Sequence, residues 1–273
     1  NILSKVNTSK DTLLYAKAME SSITLIKNNK SILPLSNDKK YLHVAFGKND
    51  NGDHLYKKIN KYLELDSYSS QDFTPLYSKT EYDAIIISYH GSSSSPYASN
   101  IIPPEIVADI NKISKNNNII LNLFLNPYSL NSFKSIDNFE TIVIGYQNNI
   151  ISQEITADLL YGIRSFKGKI PVSNNFYSVN HGISLERKNI IGFSRPSYEG
   201  FDSNSLAYLD SIAKNAIDSM MTPGIQMLVS RKGKIVYNKS FGYHTYENLN
   251  KLENDLILDL SSLTKLLATM PLV

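Results

Sequence analysis

Four short apolar runs, at 41–46, 84–88, 119–124 and 141–146, constrain this chain more than any other feature. A strand with one face in water alternates apolar and polar residues, whereas a strand covered on both faces reads as a nearly unbroken apolar run. These runs do not alternate. The stretches between them, 52–63, 103–115, 127–135 and 151–162, carry helical spacing. Strands alternating with helices predict a parallel sheet with helices on both faces. We expect an α/β fold over residues 1–175, a doubly wound, mostly parallel sheet of the flavodoxin-like α/β sandwich type. Pro103-Pro104-Glu105 is a good helix start, with proline in the first turn and an acid near the positive end. Ahead of the first run, 11–28 reads as one helix, with Leu13, Leu14, Ala16, Ala18 and Met19 on one side. The domain is expected to close near Lys169-Ile170-Pro171-Val172.

Loop and turn signals then replace this rhythm: Asn174-Asn175, His181-Gly182, Arg195-Pro196 and Glu199-Gly200. We read 176–200 as a linker and 201–273 as a second domain. There Asp202-Ser203 caps a helix at 204–219, whose apolar stripe is Leu206, Leu209, Ile212, Ala213, Ala216 and Ile217. Two strands, 224–230 and 234–240, flank the glycine-containing turn Arg231-Lys232-Gly233.

With 42% apolar residues, the 273-residue chain can build real cores. The 28 basic and 25 acidic residues are spread along the chain, with no basic block to mark a nucleic-acid partner. The absence of cysteine excludes disulfides and thiolate metal sites. No apolar run approaches the roughly 18 residues that would mark a membrane-spanning helix. The N-terminus has neither an initiator methionine nor a signal-peptide apolar region. From its ends we expect an interior piece of a longer protein.

Ser262 and Lys265, in Leu258-Asp259-Leu260-Ser261-Ser262-Leu263-Thr264-Lys265, carry the clearest chemical signal. On a helix this offset puts both side chains on one face, where a lysine can activate a serine hydroxyl as a nucleophile. Ser36–Lys39 and Ser211–Lys214 share the spacing, but one lies in a polar turn and the other inside an amphipathic helix. Ser262 instead follows the apolar Leu256-Ile257-Leu258 and opens an apolar segment.

Taken together, the second part resembles the opening of the serine β-lactamase and penicillin-binding-protein family. Pro223-Gly224-Ile225-Gln226-Met227-Leu228-Val229, Lys232-Gly233-Lys234-Ile235-Val236-Tyr237, Ser240-Phe241-Gly242-Tyr243 and the Asp259–Lys265 segment look like its class C-like branch, in the right order. Members more often have alanine at the position of Ser261. The resemblance implies an incomplete α+β domain with Ser262 as nucleophile and Lys265 as proton acceptor or electrostatic partner. The Ser262 backbone N–H would supply half of an oxyanion hole. A tyrosine motif and a later strand motif would lie beyond Val273.

The first part is similar to the C-terminal α/β domain of glycoside hydrolase family 3. Ala18-Met19-Glu20-Ser21-Ser22-Ile23-Thr24-Leu25-Ile26-Lys27-Asn28, Ile32-Leu33-Pro34-Leu35, Asn126-Pro127-Tyr128, Gly145-Tyr146 and Gly168-Lys169-Ile170-Pro171-Val172-Ser173 carry this likeness. The order of parts resembles Bacteroidetes proteins that join a β-N-acetylglucosaminidase-like family 3 unit to a β-lactamase-like domain. The resemblance implies a bifunctional hydrolase acting on peptidoglycan-like carbohydrate or peptide substrates in the cell envelope. Its glycosidic carboxylates would sit on an upstream barrel, and it implies no cofactor. The alternative keeps the glycosidase and makes the serine domain a degenerate, non-catalytic module.

Other features carry less. His90-Gly91-Ser92-Ser93-Ser94-Ser95-Pro96 follows a predicted strand and reads as a surface loop or as amides for a sugar or anion. His43 reads as a packed core histidine, and His181 as a linker residue placed to line a domain interface. No histidines have metal-ligand spacing. Phe46-Gly47-Lys48-Asn49 is too short for a phosphate loop.

Overall fold

The run at 119–124 becomes an inner strand of a six-stranded sheet in the computed structural model, which describes residues 8–47, 53–68, 74–91 and 101–272. The strands are β1 (Thr24–Asn28), β2 (Tyr41–Gly47), β3 (Leu65–Tyr68), β4 (Ala84–His90), β5 (Ile119–Phe124) and β6 (Thr141–Ile144), in the order β1-β6-β5-β4-β2-β3. β2 to β6 are parallel to their neighbours, and β1 joins β6 antiparallel at one edge. The helices are α1 (Ser9–Ser22), α2 (Asp53–Ile59), α3 (Pro104–Ser114) and α4 (Ile150–Tyr161). The chain divides into two compact units, Asn1–Gly192 and Phe193–Val273.

Register explains the missing alternation. Val44, Ile87, Leu121 and Ile142 lie side by side and face a core shared with Ile110, Ile113, Leu130, Phe133 and Phe139. The intervening row, Ala45, Ser88, Asn122 and Val143, is equally buried on the opposite face. There α2 and α4 pack, and α4 is buried around most of its circumference from Ser152 to Leu160. Both faces are therefore covered, so polar positions disappear from both sides of each inner strand. α1 opens with a capping box, Thr8 with Asp11, and α4 ends at Gly162 in the left-handed conformation.

Two expectations are corrected. The helix read over 11–28 stops at Ser22, and Thr24–Asn28 form edge strand β1. Ile23 donates its backbone N–H to the Met19 carbonyl as the cap, and the next residues pair with β6. The stretch 127–135 forms a short 3₁₀ turn, Pro127–Ser132, capped by the Asn126 side chain. Residues 176–191, within the segment read as a linker, bond to the first unit: Ile183 N–H to Leu25 O (2.7 Å) and Leu185 N–H to Phe166 O (3.1 Å).

In the second unit, α5 (Ser203–Asp218) is capped by the Asp202 side chain. It backs an antiparallel hairpin of β8 (Gly224–Arg231) and β9 (Lys234–Gly242), with the two-residue β7 (Gly192–Phe193) on the other side of β9. Leu206, Val236 and Tyr237 form a small core, with Leu209, Met227, Val229 and Phe241 against it. Beyond Leu256 the chain is largely exposed, including Ile257 at 95% and Met270 at 68%. Among the described residues, no helix is long and apolar enough to cross a membrane.

Candidate functional site

Ser262 lies in a 3₁₀ turn, Ser261–Leu263, and Lys265 opens a π-helical turn, Lys265–Thr269, in place of one regular α-helix. The turn is entered through Ser261 at φ 44°, held by its N–H donating to the Asp259 carboxylate at 2.8 Å. Both side chains are exposed, and neither makes a side-chain hydrogen bond or ion pair among the described residues. The structure thus places Ser262 and Lys265 three residues apart in successive helical turns, open to solvent. It brings no third polar group to them among the described residues.

A second arrangement lies in the first unit, where the sheet order marks a position. After β2 the chain adds β3 on one side and then β4 on the other, so the switch in strand order falls between β2 and β4. Open α/β sheets bind ligands outside the carboxyl ends of the strands that flank such a switch. Gly47 ends β2 with φ 105°, and a Cβ there would collide with the His90 carbonyl at the end of β4. Beneath this edge His43 Nε2 and His90 Nε2 each lie 2.8 Å from Ser88 Oγ, and His90 Nδ1 lies 2.8 Å from Asn148 Oδ1. His43 stacks with Tyr56, and His90 with Phe124. Burial drives the His43 imidazole down to about 3, His90 adding to the effect and Asp53 opposing it.

His43 is the packed histidine expected from sequence. His90 is buried at the end of a strand, whereas Ser92–Pro96 of the expected loop lie outside the described residues, as do Lys48 and Asn49. His90 was missed as a strand residue, because the run was read as ending at 88; the register of β2 and β4 puts His43, Ser88 and His90 on one face of neighbouring parallel strands. His181 packs within the first unit, its Nε2 2.8 Å from Ile26 O and its ring stacked on Tyr177. No group of three or more candidate metal ligands exists among the described residues.

No protein-family model matches the chain, and no curated protein sequence matches it. Solved structures do. A fungal multi-domain family 3 β-N-acetylglucosaminidase is 16% identical, with 86% of this chain and 28% of that chain covered at a TM-score of 0.48. A glycoside hydrolase family 3 β-N-acetylglucosaminidase from Paenibacillus sp. str. FPU-7 is 16% identical, covering 64% of this chain and 34% of that one at 0.45. The β-glucoside phosphorylase BglX is 22% identical, covering 61% and 32% at 0.44. The chain spans about a third of the length of these structures.

Proposed function

We propose that this chain belongs to a bifunctional hydrolase. In this reading the first unit is a supporting α/β domain for a family 3 glycosidase barrel, and the second begins a β-lactamase-like serine hydrolase. The barrel cleaves β-linked amino-sugar glycosides. Ser262 Oγ attacks an ester, amide or β-lactam carbonyl, with Lys265 as acceptor of the hydroxyl proton or as electrostatic partner to the oxygen. The carbonyl carbon's C–O or C–N bond then breaks, the alcohol or amine group takes up the proton, and the acyl-enzyme remains for hydrolysis by water. The Ser262 N–H, at the start of a helical segment, faces the developing oxyanion.

The observation that carries this reading is the order of four sequence matches from Pro223 to Lys265. Their spacing is supported by a β8–β9 hairpin backed by α5, followed by helical turns bearing the serine. The first-unit reading is supported by the family 3-like motifs together with a sheet in which Thr24–Asn28 close one edge. A second reading, a degenerate serine module, is favoured by the lack of any bond between Ser262 and Lys265.

Steady-state hydrolysis by the full-length natural polypeptide separates the two. Ser262→Ala is expected to lower ester turnover by about a thousandfold or more while amino-sugar glycosidase activity is unchanged. Ester turnover that survives the substitution, or that is absent from the unmodified protein, would refute the serine assignment.

A further inference from the structure

His43, Ser88, His90 and Asn148 form a buried chain whose proton positions can be fixed from its far end. The Leu55 N–H can only donate, so Gln153 turns Oε1 toward it (3.3 Å) and gives Nε2 to Asn148 Oδ1 (2.9 Å). The Gly91 carbonyl can only accept, so Asn148 turns Nδ2 toward it (3.3 Å). Asn148 Oδ1 therefore also accepts from His90, which carries its proton on Nδ1. Neutral His90 then accepts the Ser88 hydroxyl proton at Nε2, and Ser88 Oγ accepts from His43 Nε2–H. The neutral chain satisfies each of these atoms.

One added proton has no comparable place. On His43 it sits on Nδ1, which has no hydrogen-bond partner among the described residues. Passed along the chain, the His43 Nε2 proton moves to Ser88 and the Ser88 proton to His90 Nε2. The charge then rests on His90, and His43 is left with the same unpartnered Nδ1–H. Either state puts a positive charge on a buried imidazole, which is costly in a low-dielectric interior. Among the charged groups on the helices packed here, Asp53 favours a charged His43 but does not offset its burial. On α2, Asp53 pairs with Lys57 at the surface and Lys58 with Asp158 of α4. Glu154 of α4 is buried. β5 contributes Phe124 and β3 contributes Ser67, neither of them charged.

We propose that this chain is an acid-released latch: neutral, it ties β2 and β4 to α2 and α4 at the carboxyl edge of the sheet, and uptake of one proton releases α2. α2 covers His43 through Tyr56 and joins the network through the Leu55 N–H, so its departure gives the imidazole water. The sign follows from the lowered His43 value of about 3. The closed form is fully favoured above the ordinary imidazole value of about 6.5, and the preference is lost as pH falls from there toward about 3.

The test is hydrogen exchange of α2 amides in the chain as it stands, corrected for intrinsic rates. For one released imidazole, protection over 53–59 is expected to fall about 30-fold between about pH 7.5 and about pH 5. The H43Q variant keeps a donor toward Ser88 and cannot ionise, so its protection is expected to change less than about threefold. A wild-type change below about threefold, or an equal fall in H43Q, overturns the latch. Should H43Q fail to fold, nitrogen NMR of the wild-type imidazoles decides. The latch requires Nε2–H on His43 and Nδ1–H on His90 at neutral pH, and the opposite tautomers overturn it.

Discussion

Asp158 of α4 is the residue whose replacement should most damage the first unit. Its Oδ1 accepts from the Tyr62 hydroxyl at 2.7 Å and faces Lys58 Nζ at 3.3 Å, while Oδ2 accepts from Arg164 Nε at 2.9 Å. The side chains of Lys58, Asp158 and Arg164 are only 8%, 3% and 4% exposed. Arg164 reaches on to Glu20 of α1 at 2.5 Å, so one carboxylate joins α1, α2 and α4. Asp158→Asn takes the negative charge from between two buried cations and turns an amide donor toward groups that themselves donate. Breaking a buried pair this way costs about 3–5 kcal/mol. Because Glu20 still serves Arg164, the lower end applies, about 3 kcal/mol. With a urea slope of about 2 kcal/mol per molar, the midpoint should fall by about 1.5 M, followed by far-UV circular dichroism. Adding Lys58→Met, which removes one of the two cations, should recover at least about half of the loss. A midpoint for Asp158→Asn within about 0.3 M of wild type would refute the reasoning.

Other outcomes follow from single groups. Asn122 on β5 is buried, with neither amide atom hydrogen-bonded among the described residues; Asn122→Leu should be neutral or raise stability by about 1 kcal/mol in the same melt. A loss above about 1 kcal/mol would show that the amide is satisfied. Burial, then the 2.6 Å bond to Asp210, pushes the Tyr237 phenol up to about 12. The second unit should therefore hold this contribution below about pH 10 and lose it as pH rises toward about 12, a dependence that Tyr237→Phe should remove in alkaline melts. Residues 193–273 alone, with so small a core, should give no cooperative thermal transition, and a sharp melt would contradict that expectation.

What the sequence revealed depended on how strongly each element's surroundings shaped its composition. The inner strands were legible because burial on both faces leaves apolar runs, as at Ile85-Ile86-Ile87 and Ile119-Ile120-Leu121. β3, an edge strand reading Leu65-Asp66-Ser67-Tyr68, leaves no such run and went unseen. β1 was absorbed into the preceding helix because no glycine or proline separates Ser22 from Thr24; only pairing with β6 makes it a strand. In the candidate site, Ser262 and Lys265 are singled out by motif alone, and motif spacing carries no information about which groups converge on them. The buried histidine chain needs long-range register, since Ser88 meets His43 across 45 residues and His90 meets Asn148 across 58.

The central claim is that Ser262 forms an acyl-enzyme, and intact-mass labelling of the full-length natural polypeptide tests it most directly. A fluorophosphonate and a penicillin would be applied in parallel to the folded protein and to its Ser262→Ala variant. The account predicts a single covalent adduct that is lost in the variant, with the preferred probe indicating the substrate class. A folded protein that takes no adduct, or one whose adduct persists in Ser262→Ala, would contradict it.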